Sequence, residues 1–540
     1  MSGRLADQPV SAGKGTVRGA QHSGPNRHPG GVIGMRDRGR AVVVYIGTAL
    51  ARFRREVDDT TTVGTTGLLV VWALLVGVAP EQIGTTLVGL ELQVLDLGAV
   101  VYAVPLGLVI LAIIAVSVGP WGQTVLGQGG ATPDFDDLTY FAMLFAGGIA
   151  AGLVLFGPAE PLVFLNDPPP GVAGDAAPDR RVVATVGYAW LRWGILAWCT
   201  YAAFTIPVAY YCYRRGAPFR PSTVLYPLVR DRPRTRAAFD VGTLFVVITA
   251  VVVPVWQVSL NFIAGIEFQW GVTIPTVGFG LFVLAIALVV LVSAVTGLFR
   301  GIRRLSLVAT GGLVLVTLLT LVFGPTRAVA TLSLDAVLAH PSHAESLLDS
   351  VTSEWVTRVT MVTWAAWFGW APVMGLFVAR ISRGRTIREV VGYSVLAAGV
   401  ATMIWFGVVG GAVAQVHIRG SANVLEAISV VGEGVAVYPV FLTFPAGQLA
   451  LLVFLGVGLL AVITTADSAT FAVAMAASET GSVPDRTVRC YWAGVLTLLA
   501  LVLGTAEAGS LNLLGGAAFA VVGAIGMLLA TAAIIRTERT

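Results

Sequence analysis

The feature that most constrains this chain is a series of apolar stretches, each near the roughly 20 residues a helix needs to cross a bilayer. Twelve are predicted, at 63–79, 97–118, 138–157, 183–212, 239–264, 274–298, 305–324, 360–379, 391–414, 441–475, 490–506 and 511–535. In lipid the backbone must satisfy its own hydrogen bonds, so segments of this kind are helical. The expected fold is an all-α integral membrane protein with 12 transmembrane helices. Composition excludes the main alternatives. Hydrophobic residues make up 56% of the 540 and charged residues 12%, against about a quarter charged in soluble domains. A soluble enzyme, a nucleic-acid binder and a disordered scaffold are excluded as readings of the whole chain. Lys14 is the only lysine among 34 basic residues, and the net charge of +4 comes from short arginine-rich loops rather than a nucleic-acid surface. Cys199, Cys212 and Cys490 have no metal-like spacing and imply no disulfide framework.

The arginines also predict orientation. They follow even-numbered spans: Arg214, Arg215, Arg220, Arg230, Arg232, Arg234 and Arg236 after the fourth, Arg300, Arg303 and Arg304 after the sixth, Arg380, Arg383, Arg385 and Arg388 after the eighth. Basic loops stay cytoplasmic, so both termini are expected inside a multi-pass cell-membrane protein. Residues 1–60 read as a basic, disordered cytoplasmic arm, either touching anionic lipid or without a role, and its first 40 residues hold no apolar core of a cleavable signal. Residues 61–540 would be the membrane domain. Residues 166–180 read as a Pro/Gly-rich extracellular connection, and 341–359 as a short amphipathic helix.

Irregular backbone within a membrane survives only beside protein or a wet cavity, so Gly and Pro inside spans point to sites. Span 3 carries Gly147, Gly148 and Gly152. These glycines permit either local unwinding, which frees carbonyls for a cation and amides for a carboxylate, or close helix packing through small residues. Span 8 carries Trp364, Trp367 and Trp370 at i, i+3, i+6 beside Gly369 and Pro372. Span 4 adds Trp193, Trp198 and Tyr201. On a regular helix Trp193 sits about 140° from Trp198, so all three share a pocket only if the helix is distorted or the cavity is wide; otherwise Trp193 lines an access path. Aromatic faces hold quaternary ammonium groups, which cannot donate hydrogen bonds. The absence of a carboxylate side chain in 146–152 favours a zwitterion over a bare cation. In span 10, Thr464 and Thr465 offer hard oxygens for Na⁺ or hydrogen bonds to their own helix. Asp467 is an intramembrane acid, a functional candidate or a structural hydrogen bonder.

These motifs resemble those of the betaine/carnitine/choline transporter family. PDFDDLTYFAMLFAGGIAAG (133–152) with Glu160-Pro161 is similar to its span-3 signature, and WGILAWCTYAAF (193–204) with YRRGAPFRPSTVLYPL (213–228) to its span 4 and following loop. TWAAWFGWAPVMGLFVARISRGRTIREVV (363–391) resembles its span-8 signature and TTADS (464–468) its span-10 motif. The resemblance implies a leucine-transporter-like core of two inverted five-helix repeats, 138–324 and 360–535, preceded by two extra helices in 61–120. It implies a homotrimer in the lipid bilayer, taking up glycine betaine or a similar trimethylammonium solute for osmoprotection. Transport would be Na⁺-coupled by alternating access, with sodium-independent exchange or another amino-acid-like solute as the alternative. The substrate box would be Trp193, Trp198, Tyr201, Trp367 and Trp370 against Ala150 and Gly152. A Na⁺ site would use the carbonyls of Ala146 and Ile149 and the hydroxyls of Thr464 and Thr465. No other cofactor, no enzymatic activity and no nucleic-acid partner are implied. The chain departs from the family's GMGIG with Gly148-Ile149-Ala150-Ala151-Gly152, and from its paired span-8 tryptophans with Ala366-Trp367. Its span 5 reads Val251-Val252-Val253-Pro254-Val255 where the family has a hydroxyl-bearing run, which speaks against a second sodium site. A channel would need pore-lining rings, and the five histidines (22, 28, 340, 343, 417) lie outside the spans.

Overall fold

A computed structural model describes residues 47–537 except 173–175, 480–481 and 503–504. Residues 1–51 and 52–540 form separate units. Most of the expected N-terminal arm, residues 1–46, therefore lies outside the described residues. Residues 52–60 belong to the second unit, where Val57 is buried and bridges Ser478. Asp58 caps the first spanning helix by accepting from the Thr61 amide at 2.7 Å and pairs with Arg220 at 2.8 Å.

The principal helices are α1 (Asp59–Val78), α2 (Pro80–Asp96), α3 (Ala99–Val118), α4 (Asp137–Phe156), α5 (Glu160–Asn166), α6 (Pro178–Trp193) and α7 (Ile195–Arg215). They continue with α8 (Pro233–Trp270), α9 (Thr276–Thr296), α10 (Arg303–Phe323), α11 (Thr326–Asp349) and α12 (Val362–Ile381). After these come α13 (Ile387–Ile418), α14 (Val424–Val431), α15 (Gly447–Ala476), α16 (Arg486–Val502) and α17 (Thr505–Thr537). Among the described residues there is no strand beyond two isolated bridges. Among the described residues eleven helices are long and apolar enough to span a membrane, and each overlaps one of the twelve expected stretches. Residues 490–502 of the remaining stretch lie in the 17-residue α16.

Burial ranks the spans. The windows containing α4, α6–α7 and α12 are 83%, 89% and 83% buried, whereas that of α9 is 28% buried. The first three therefore form the centre and α9 lies on the rim. The centre is knitted by α12 against α7 and α17, and by α15 against α4. The amphipathic segment expected at 341–359 starts earlier, as α11 from Thr326, and ends at Asp349. Its Pro341 interrupts nothing. Between α6 and α7 the chain breaks at Gly194, whose backbone (φ −80°, ψ −145°) is not helical. α13 contains two π-helical stretches, Gly392–Ala397 and Phe406–Gly410.

Candidate functional site

The centre of the molecule holds a cluster of aromatic rings. Trp367 on α12 lies 5.9 Å from Trp193, 5.7 Å from Trp198 and 4.8 Å from Tyr201, ring centre to ring centre. Trp198 and Tyr201 meet edge to face at 5.6 Å. A regular helix would turn Trp193 away from this group. The break at Gly194 removes that restriction, and Trp193 joins from the last turn of α6. Trp370 is half-buried one turn beyond Trp367 and takes no part in these ring contacts.

Each ring of the cluster except Trp367 is fixed through its polar atom. Trp198 Nε1 donates to the Thr402 hydroxyl at 3.1 Å, the Tyr201 hydroxyl to the Gly148 carbonyl at 3.2 Å, and Trp193 Nε1 to Glu160 Oε2 at 2.7 Å. Trp367 Nε1 is buried without a partner. Further rings close the edges: Phe145 stacks on Trp198 at 6.1 Å, and Phe156 and Phe406 stack on Trp193 at 5.2 and 5.6 Å. The sequence reading missed these three phenylalanines and Thr402, because a single apolar or hydroxyl residue in a span carries no distinguishing pattern.

The glycines of α4 serve this cluster by their smallness. Of the two readings the glycines allow, unwinding over 146–152 does not occur, and α4 is uninterrupted from Asp137 to Phe156. A Cβ on Gly148 would lie 3.2 Å from Trp198, and one on Gly152 3.3 Å from Trp193, so both rings approach the bare helix backbone. Ala150 is fully buried in the same helix. Close packing through small residues is the reading that holds. Its consequence is chemical: the α4 amides stay in the helix ladder and are not free to receive a carboxylate.

The four residues expected to bind Na⁺ divide. The Thr465 hydroxyl reaches the Ala146 carbonyl across the α15–α4 contact at 3.5 Å. Thr464 instead donates to Leu460 of its own helix at 2.6 Å. Ile149 is buried one turn beyond Ala146. The adjacent Ser468 hydroxyl is buried, has no partner, and faces Gly147, where a Cβ would lie 2.6 Å away. Asp467 accepts from the Ser293 hydroxyl of α9, the helix-to-helix hydrogen bond its position allowed. The span-5 valines Val251, Val252 and Val255 line an apolar cavity of about 30 Å³ with Val283 and Ile286.

One charged group touches the cluster and a second pairs with it. Glu160 opens α5, and its Oε1 lies 2.7 Å from Arg192 NH1, while its Oε2 accepts from Trp193. Arg192 also donates to Thr363 at the start of α12 and lies 5.0 Å over the Phe164 ring. The two side chains are 7% and 10% exposed. Glu160 was singled out in the sequence only as part of the span-3 signature, and Arg192 was passed over. The available signal was a lone arginine inside the apolar stretch 183–212, where an unpaired charge is costly.

At the other end of α4 lies a second charged network. Asp134 pairs with Arg380 at 2.9 Å and Arg383 at 2.8 Å, and Asp137 pairs with Arg385 at 2.8 Å. Arg385 is 1% exposed, with its guanidinium 4.1 Å over Tyr140 and 5.2 Å over Tyr393. Asp136 caps α4, and hydrogen bonds from the Thr139 amide and hydroxyl hold its carboxyl below the usual range.

Comparison with known proteins extends what the motifs suggested. Residues 60–537 match the family model described as betaine/carnitine/choline family transporter. The glycine betaine transporter OpuD of Bacillus subtilis is 30% identical over 71% of this chain and 75% of its own length. A probable glycine betaine transporter of Desulfitobacterium hafniense is 28% identical over 75% of this chain and 82% of its own. An ectoine/hydroxyectoine transporter of Virgibacillus pantothenticus is 26% identical over 73% and 79%.

Proposed function

This chain belongs to the betaine/carnitine/choline family of transporters, and on that premise we propose that it imports glycine betaine or a closely similar trimethylammonium zwitterion. The observation that carries the reading is the meeting of Trp193, Trp198, Tyr201 and Trp367 at the buried centre. Ring faces supply cation–π attraction of about 2 kcal/mol each when desolvated, and they ask for no hydrogen bond from the ligand. A cation held between two rings needs each centre within about 6 Å. Rings already 4.8–5.9 Å apart leave no such gap. Binding therefore moves Trp367, the ring with no hydrogen bond to lose.

The architecture we assign has α16 as the eleventh of twelve spans, two inverted repeats over α4–α10 and α12–α17, a homotrimeric assembly and both termini cytoplasmic in the cell membrane. The arginine-rich loops support that orientation. Transport is by alternating access, with substrate near the bilayer midplane. Na⁺ is the coupling ion, held by the Ala146 carbonyl with Thr465, while Thr464 and the Ile149 carbonyl are recruited as the site closes. One ion is assigned rather than two, because the span-5 wall is apolar. Sodium-independent exchange is the second reading, favoured by the Thr464 hydroxyl being engaged with Leu460.

Uptake of radiolabelled glycine betaine into proteoliposomes, with and without an inward Na⁺ gradient, tests both. Accumulation is expected to require the gradient, to be abolished by Trp367→Leu and to be reduced by Trp370→Leu. Uptake indifferent to Na⁺ selects exchange. Full uptake by folded Trp367→Leu protein overturns the aromatic site.

A further inference from the structure

A zwitterion brings a carboxylate as well as an ammonium, and the intact α4 offers it no free amide. The group beside the cluster with the right charge is Arg192. Its guanidinium is neighbour in sequence to Trp193, is joined to that ring through Glu160, and keeps its Nε–H buried without a partner. The other buried arginines, Arg380, Arg385 and Arg489, stand at the far end of α4 and α12 or on α16. Thr363, which accepts from Arg192, belongs to α12, the helix that carries Trp367.

We propose that the Glu160–Arg192 pair selects substrate charge: Arg192 is the partner of the solute carboxylate and opposes a bare trimethylammonium cation, while Glu160 holds Arg192 and the Trp193 ring in register and tempers that opposition. This rests on the aromatic cluster being the substrate site. The physical basis is simple electrostatics. A full charge about 8 Å from a buried ligand, at the effective dielectric of a protein interior, changes a monocation's affinity by roughly tenfold or more. A zwitterion with its carboxylate toward Arg192 feels the opposite sign at that end. Removing Glu160 takes away the guanidinium's direct counter-charge and leaves only Glu433, outside ion-pair distance, to temper it, since arginine does not lose its proton. Removing Arg192 leaves the carboxylate. The two single changes therefore push selectivity in opposite directions, which a merely structural role for the pair does not.

The test measures binding of glycine betaine and of choline, which differ in the carboxylate, to purified wild-type protein, Glu160→Gln, Arg192→Gln and the double variant. Each is first shown to be folded by gel filtration and thermal unfolding. Glu160→Gln is expected to raise the betaine-to-choline affinity ratio about tenfold, because glutamine can still accept from Trp193 while Arg192 loses its counter-charge. Arg192→Gln is expected to lower the ratio about tenfold, and the double variant to return toward wild type. An unchanged ratio in folded Glu160→Gln, or shifts of the same sign in both single variants, overturns the proposal. Absence of binding of both solutes in wild type overturns the aromatic site itself, so the two failures are distinguishable.

Discussion

The two ends of α4 are both tied to α12 by charge, and they are built differently. At the arginine-rich end, Asp134 and Asp137 meet three arginines. The backbone of 124–126 also pairs with 384–387, through Leu126 to Arg385 at 2.8 Å and Ile387 to Thr124 at 3.1 Å. The network is redundant and partly wet, with Asp137 71% and Arg383 49% exposed. At the opposite end one ion pair, Glu160 with Arg192, is buried, with the Glu433 carboxylate near enough to be felt by both charges, and each member is linked to the substrate site: Glu160 to the Trp193 ring and Arg192 to Thr363 of α12. Redundancy suits a fastening that must survive the loss of one contact. A dry pair wired to the binding rings suits a group whose state is read by the ligand.

The largest way to break this comparison is Glu160→Ala. It strands Arg192 in a buried setting, and losing one partner of such a pair costs about 3–5 kcal/mol. A large fall in thermal unfolding temperature in detergent is expected. Asp134→Ala removes two ion pairs but leaves Arg383 in water and Arg380 with the Ser482 carbonyl at 2.7 Å. The expected loss is smaller, about 1–2 kcal/mol, and it is the one that high salt diminishes. Equal losses for the two variants would erase the distinction between a redundant and a solitary contact. Gly148→Ala sharpens it without touching charge. The added methyl presses Trp198 at 3.2 Å, so betaine affinity is expected to fall about tenfold, as for displacement of a bound group by a fraction of an ångström. The betaine-to-choline ratio is expected to stay fixed, and a shifted ratio would show that ring position, not charge, governs selectivity.

The spans were legible because apolar runs of bilayer length have one solution in lipid, and eleven of them emerged within a few residues of their expected bounds. Trp193, Trp198, Tyr201 and Trp367 were legible as residue types. Their convergence was not, since it depends on how far the chain turns at Gly194. The glycines of α4 left unwinding and close packing both open, because sequence cannot tell a glycine needed for its backbone freedom from one needed for its size. The run from Arg380 to Arg388 read as a solvated basic loop. Arg385 is instead buried between Tyr140 and Tyr393, partners about 245 residues and 8 residues away whose approach only folding reveals. The pairing of Glu160 with Arg192 was hidden for the same reason, although the charge of Arg192 inside a span was itself a warning.

The smallest expected effect concerns what braces the solitary pair. α11 packs on α6, the helix that delivers Arg192 and Trp193, and places His343 5.9 Å from the Tyr188 ring and His340 6.1 Å from the Trp190 ring. The Nδ1 atoms of both imidazoles are buried without partners, and burial pushes both pKa values down from about 6.5. The sign follows from linkage. The folded protein takes up protons on these rings less readily than the unfolded chain, which does so as pH falls through about 6.5, so stability is full above that value and declines below it. His340→Gln with His343→Gln is expected to flatten the unfolding temperature between about pH 7 and pH 5, a change worth about 1 kcal/mol or less. The arginine-rich network contains no histidine among the described residues, so Asp134→Ala is expected to keep the acid-side decline. A decline that persists in the double histidine variant and vanishes in Asp134→Ala would transfer the acid sensitivity to the other end of α4, and with it the idea that only the dry end is finely tuned.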